Sequence, residues 1–567
     1  MPYLKIDKFK TGIIDTNLHS AIELPPDAAS DIRNVDFWPK GSISVREGYR
    51  SVFSSAWAAS DAKIARIWEH EAASTYTPVV FAASATGTSG HACILAFASS
   101  ACTITTLCAT DQASAWGPTN TDVISCTTFA NSGWFAYGGT LQLVNWYPSD
   151  GYMRHEPTLS AQTSAYGVRT VCNWGNYLFL GNMINGGSRD NDMIRWCYPG
   201  NPKSWPISYY IQLDQGDGDE ITGMGLVRGN LAVFKKTKTY VVRWVGGNTL
   251  FTWNRITPDI GCVGQNSIVQ FENLLYFAGT KGFYAFDGEA PPVEISAQIR
   301  THFSLMDATF YKHAFTLVDA SKRKIWFFVP FTQSSTALSY INRVYVYDLD
   351  LQNWTIFEPS HSLRSAGKLH YGFGKRLDTL EEPTGSKEWS YYTGRISDFY
   401  PVYTEDMFFG GLAGQTYKYG GVATDDGTPF TSYWKSIWHT FDNPIHNKRI
   451  RRVSALIDPY GTSTALASAS YITLRRYDDW DDTTIQDTMN LVTSGTSQIL
   501  EKRFDFTHYL RAMKIEFRSS SAVYDATANP PTYPGAPWVI HQAHIDWLPK
   551  GRTSHWDGTD AVRRDHG

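Results

Sequence analysis

Ile221-Thr-Gly-Met-Gly-Leu-Val-Arg-Gly-Asn-Leu-Ala-Val-Phe-Lys-Lys-Thr-Lys-Thr-Tyr-Val-Val-Arg-Trp244 decides the fold. Short runs of β-branched, aliphatic and aromatic residues are broken by Arg-Gly-Asn and Lys-Thr-Lys-Thr, the pattern of strands joined by tight turns. A Gly261-Cys-Val-Gly264 turn follows, then further strand-like runs at 267–271, 274–278 and 283–286. Gly282 and Gly288 fall where such turns are expected to take positive φ. Helical periodicity is nearly absent along the chain.

The unit recurs. Asn176-Tyr-Leu-Phe-Leu-Gly181, Asn230-Leu-Ala-Val-Phe-Lys235, Asn273-Leu-Leu-Tyr-Phe-Ala-Gly279 and Lys324-Ile-Trp-Phe-Phe-Val329 read as versions of one strand, with weaker copies at 78–82, 132–136 and 406–410. One residue from each gives Phe81, Phe135, Phe179, Ala232, Tyr276, Trp326 and Phe408. These are separated by about 44 to 54 residues, with a last gap of about 82, near the roughly 40–50 residues of a four-stranded propeller blade. The last gap implies a polar insertion around 374–394. A blade cannot bury both faces alone, and stacking blades around an axis covers them. Past 425–428 the repeat stops. Longer strands at 433–441, 450–456, 471–477, 504–506, 512–517 and 539–547 then predict a β-sandwich. The expected fold class is all-β: an N-terminal segment, 1–50, leading into a propeller of about seven blades over 51–425, a β-sandwich over 430–550, and a C-terminal extension at 551–567.

Composition narrows the function. Of 567 residues 43% are apolar, 14% aromatic and 18% charged, with a net charge of -4. This excludes global disorder. It also excludes a dedicated nucleic-acid coat, which needs excess Lys and Arg against phosphate. The longest apolar runs, such as 92–98, fall far short of the roughly 20 residues of a membrane span, and no secretory signal is expected from the opening residues, which lack a continuous apolar core. Seven cysteines, at 93, 102, 108, 126, 172, 197 and 262, are odd in number and include no CxxC pair. They read as free thiols in strands of a chain folded in a reducing cytoplasm, with no cofactor implied.

Four features invite chemistry. Asp214, Asp217 and Asp219 lie in an acidic run, 214–220, that resembles a calcium loop but lacks EF-hand spacing; a solvated turn entering a blade is the preferred reading. Asp478, Asp479, Asp481 and Asp482 flank Trp480, yet adjacent carboxylates do not face one another as glycoside hydrolysis requires, so a solvated loop with a packed Trp is preferred. Lys448, Arg449, Arg451 and Arg452 form a basic run at a strand entrance, suited to a protein contact or solvent more than to DNA. His541 and His544 are three apart and would point to opposite faces of a strand. No HExxH, GxSxG or phosphate-loop motif occurs, and no catalysis is expected.

Some stretches resemble a family. Asn34-Val-Asp-Phe-Trp-Pro-Lys-Gly-Ser-Ile-Ser-Val-Arg-Glu-Gly-Tyr49 looks like the segment before the first blade in β-propeller tail proteins of short-tailed bacteriophages. Gly229-Asn-Leu-Ala-Val-Phe-Lys-Lys236, Asp259-Ile-Gly-Cys-Val-Gly264 and Leu275-Tyr-Phe-Ala-Gly-Thr-Lys-Gly-Phe-Tyr-Ala-Phe-Asp-Gly288 resemble the same tail nozzle or hub group more strongly. Arg343-Val-Tyr-Val-Tyr-Asp348 and Ile545-Asp-Trp-Leu-Pro-Lys-Gly-Arg552 are also similar to it.

The resemblance implies a structural virion protein, made in the host cytoplasm. It would form a homohexameric ring beneath the portal and adaptor, carry fibres or tailspikes, and let genomic DNA pass. A closed ring of identical copies uses one repeated head-to-tail interface. A lumen that releases DNA should be acidic or neutral, since each Lys or Arg on phosphate adds attraction. The alternatives are a propeller that recognises surface glycans through stacked aromatics and, more remotely, a polysaccharide depolymerase.

Overall fold

The computed structural model describes residues 3–15, 24–52, 63–72, 75–83, 91–97, 102–106, 122–138, 143–148, 152–247, 249–332, 338, 340–371, 404–412, 414–422, 424–441, 444–458, 470–493, 500–519 and 538–549. The expected insertion around 374–394 and the extension at 551–567 lie outside them. The fold is all-β, a propeller joined to a β-sandwich. Among the described residues no helix is long and apolar enough to cross a membrane.

Among the described residues, seven small antiparallel sheets make the propeller, six of four strands and one of five. Their innermost strands are Lys63–Ala72, Ser125–Phe129, Thr170–Trp174, Ile221–Val227, Val269–Phe271, Phe315–Asp319 and Leu363–Tyr371. Each lies against the next, and Leu363–Tyr371 returns to Lys63–Ala72, which closes the ring. Phe81, Phe135, Phe179, Ala232, Tyr276, Trp326 and Phe408 each sit on the second strand of a blade, and all are buried. That strand is apolar on both faces because sheets cover it on either side. Gly288 takes φ +87 as the turn demands. Gly282 does not; it is needed because a Cβ there would lie 2.9 Å from Ser296 Oγ.

The seventh blade is completed from elsewhere in the sequence. Its strands Leu363–Tyr371, Thr404–Gly411 and Thr416–Tyr419 take their fourth partner from Tyr49–Ser51, with Tyr49 opposite Tyr419. The ring is thus closed by a strand that precedes the first blade.

The N-terminal segment does more than lead into the propeller. Tyr3–Ile6, Val35–Asp36 and Ile43–Val45 join a six-stranded sheet with Val539–Pro549, Lys448–Asp458 and Leu500–Leu510. Ala29–Arg33 edges a five-stranded sheet with Tyr433–Ser436, Met513–Ser519, Ser470–Asp478 and Asp487–Thr493. The two sheets face each other across Ile450, Val453 and Ile545 on one side and Trp434, Ile472, Leu474 and Phe517 on the other. The same apolar cluster runs on into the fifth and sixth blades through Phe283, Phe327 and Trp354. Phe283 stacks on Phe327 with centroids 4.1 Å apart. The propeller and sandwich therefore share one core.

Candidate functional site

The segment 34–49 forms the polar part of this junction. Asn34 holds φ +55. Its side chain accepts from Arg46 Nε at 2.8 Å and from the Glu358 N–H at 2.8 Å, and donates to the Thr431 carbonyl at 2.8 Å. Arg46 grips the Asp425 carboxylate with both terminal nitrogens and lies 3.8 Å over the Phe430 ring. Asp425 also accepts from the N–H and hydroxyl of Ser360, both at 2.9 Å. These carboxylate and guanidinium groups are removed from water, but bidentate geometry and added donors compensate for their lost hydration.

A second ion pair lies alongside. Lys324, at the start of an apolar strand in the sixth blade, meets Asp36 of the sandwich. Burial would raise the Asp36 carboxyl, but Lys324 and Lys322 hold it below the usual range. Arg33 and Arg343 share Glu358 across the same seam. The Thr355 hydroxyl donates to the Val35 carbonyl at 2.5 Å and the Ile13 N–H donates to the Trp354 carbonyl at 3.0 Å. The sequence reading missed these residues. Its available signals were lone charges inside apolar runs: Asp36 between Val and Phe, and Lys324 before Ile-Trp-Phe-Phe-Val.

The acidic run 214–220 is occupied by its own chain. Asp217 bonds Lys235, whose side chain is fully buried, and also Lys238. Burial opposes ionisation of Asp217, but the two lysines bring its carboxyl down to about 2. Asp214 accepts from Tyr240 at 2.9 Å and from Arg255 at 2.8 Å. Asp219 accepts from the Lys236 and Thr237 N–H groups. The three carboxylates thus diverge onto separate partners. Among the described residues no group of three or more His, Cys, Asp or Glu is placed to hold a metal ion.

The basic run is dispersed as well. Lys448 is buried and donates to the Arg511 carbonyl at 3.0 Å, and Arg452 pairs with Asp505 at 2.6 Å. Arg449 and Arg451 are exposed. Residues 448–452 therefore do not present one continuous cationic face. His544 lies beside Tyr3, with ring centroids 6.1 Å apart.

The loop 478–486 differs from its expectation. Trp480 is not packed away but 43% exposed. It rests against Trp438, with centroids 5.4 Å apart, and Lys514 Nζ lies 4.9 Å from the Trp438 ring. Asp479 and Trp480 both take left-handed backbone conformations, φ +48 and +72. Asp479 Oδ1 accepts from the Arg511 N–H at 2.6 Å and the Ala512 N–H at 3.3 Å. Asp481 accepts from Thr483 and Thr484, which hold its carboxyl well below the usual range. Asp482 bridges Lys435 and Lys514. These carboxylates do not converge on a common point as a general acid and its partner must.

Cys126, Cys172, Cys197 and Cys262 are free thiols, and burial pushes each thiol up, to about 12 for Cys126 and Cys172.

No family model matches the chain, and no curated protein matches it. Among solved structures, the chain is similar to the Pan2 WD40 domain of Neurospora crassa at 8% identity and a TM-score of 0.36, covering 66% of this chain and 96% of that one. It is also similar to a structure described as a glycoside hydrolase, at 8% identity and a TM-score of 0.25, covering 88% of this chain and all of that one.

Proposed function

We propose that this chain is a structural subunit of a bacteriophage tail, in the nozzle or hub, and not an enzyme. Six copies would form the ring below the portal and adaptor, bearing fibres or tailspikes and passing DNA. One observation carries the reading. The segment that resembles the tail proteins, 34–49, is the one that ties propeller to sandwich through Asn34, Asp36 and Arg46. A two-part wedge whose parts share a core keeps a fixed angle, and a closed ring of identical copies needs that constancy.

The test is to image the purified full chain by negative stain and mass photometry, alone and mixed with tail components, and to probe virions with an antibody against it. Six-fold rings, or incorporation into tails, are expected. A chain absent from virions and monomeric with every tail component would reject the reading.

A further inference from the structure

We propose that Lys324 and Asp36 become joined by an amide bond between Nζ and Cγ, a covalent link from the sixth blade to the sandwich that the chain makes within itself. The inference does not depend on the tail assignment, and the step is a single self-modification, not turnover. The groups it needs meet away from water. The Lys324 side chain is 2% exposed, Asp36 7% and Asp348 3%. Lys324 Nζ donates to Asp36 Oδ1. Asp348 stands opposite Lys324 on the neighbouring strand, and its Oδ2 lies 3.8 Å from the same Nζ.

The second carboxylate is what a simple ion pair leaves unexplained. A further buried carboxylate costs free energy unless its oxygens are paired or hydrogen-bonded. Asp348 Oδ1 accepts from the Asp350 and Leu351 N–H groups at 3.0 and 2.9 Å, which fixes the carboxylate in place. Its Oδ2 is buried and has no hydrogen-bond donor among the described residues. That oxygen is left to move a proton at Nζ. Lys235 supplies the contrast. Asp192 is occupied by Lys235 and the Gly216 N–H, and Asp217 by Lys235 and Lys238. No carboxylate oxygen is spare there, and that site is a completed salt bridge.

The step balances with no co-reactant. The ionic pair and its neutral form exchange by passage of one proton from Nζ to the Asp36 carboxylate. The neutral amine then attacks Asp36 Cγ. Lys322 Nζ, 3.9 Å from Asp36 Oδ2, faces an oxygen on which negative charge develops. Asp348 Oδ2 takes a proton from the attacking nitrogen and returns it to the departing hydroxyl. The Nζ–Cγ bond forms, the Cγ–OH bond breaks and one water leaves, with Asp348 ending as it began. The fold holds amine and carboxyl in contact, which supplies the encounter that free groups in water lack. Exclusion of water then protects the amide from hydrolysis.

The experiment is peptide mapping by mass spectrometry of the full chain, denatured and digested with trypsin. A branched peptide joining 34–40 to 324–343 is expected, lighter than its two parts by one water and uncut after Lys324, while cutting after Lys235 is normal. Asp36→Ala and Lys324→Arg should abolish the branch. Asp348→Asn keeps both bonding partners and should form it about a hundredfold more slowly, followed in samples taken through expression and storage, with thermal unfolding showing that the variant is folded. The parent digest decides the bond itself whether or not a variant folds. The proposal is overturned if the parent yields 34–40 unlinked together with cutting after Lys324. It is also overturned if the branch joins Lys324 to 344–364, which would make Asp348 the bonding partner, or if folded Asp348→Asn links as fast as the parent.

Discussion

Arg46 and Asp425 face each other in a two-pronged ion pair, 2.8 and 2.7 Å, with side chains only 2% and 0% exposed. Arg46 lies three residues before the strand that closes the propeller, and Asp425 lies beyond its last blade. The pair therefore staples both ends of the ring to the sandwich.

Replacing Asp425 with Asn leaves a buried guanidinium without its counter-charge. Such losses cost about 3–5 kcal/mol. Because the propeller and sandwich share a core, urea unfolding of Asp425→Asn should shift as one transition. Two separated transitions, with only one moved, would show that the units unfold independently.

Gly48→Ala probes the same seam sterically. An added Cβ would fall 2.1 Å from the Thr424 carbonyl oxygen, so the backbone must move. The expected cost is about 1–3 kcal/mol. Amide exchange should rise first at Tyr49–Ser51 and at its partner Thr416–Tyr419. Unchanged protection there would contradict the closure described for the seventh blade.

Acid should weaken the fold before most carboxylates titrate. Burial, with Arg343 and Arg33 nearby, brings His302 down to about 4; burial, with Lys514, does the same for His439. Burial, with Arg364 and Lys312, takes His313 to about 2. A histidine whose folded value is depressed favours the fold fully above its unfolded value near 6.5. As pH falls below that, the unfolded chain takes the proton first and the contribution is lost progressively toward the folded value. Thermal midpoints should therefore drop between about pH 6.5 and 4, and His439→Asn should flatten that slope. A midpoint that stays level across this window would refute the assignment.

Calcium should have no effect on stability. Asp214, Asp217 and Asp219 are each committed to protein donors. Thermal midpoints with millimolar calcium or with EDTA should coincide. Lys235→Met, in contrast, strips Asp192 and Asp217 of a fully buried cation and should cost about 3–5 kcal/mol.

The repeat was legible because each blade carries one strand buried on both faces, leaving a continuous apolar run around Phe179, Ala232 or Trp326. Most sandwich strands after residue 430 were legible because they are long; Asp487–Thr493 was not read, and the run 433–441 is a strand only over Tyr433–Ser436. The N-terminal strands were not legible. Val35–Asp36 has two residues and Ile43–Val45 three, too short for periodicity. Ala29–Arg33 pairs with Tyr433–Ser436, about 400 residues away, and no local pattern announces such a partner. The acidic run 214–220 was read as a solvated turn, and its lysine partners became visible only when Lys235 and Lys238 were brought to it. At Trp480 the aromatic was noticed and its exposure was not, because backbone sign at a non-glycine residue leaves no trace in composition.

The strand Tyr49–Ser51 has a consequence for synthesis on the ribosome. It emerges before any blade exists, yet its neighbour Thr416–Tyr419 is translated some 365 residues later. During that interval the early segment must wait unmatched while six blades form behind it. A product ending prematurely anywhere before residue 416 would leave both the ring and this waiting segment with bare edges, the kind of surface on which nascent chains misassociate.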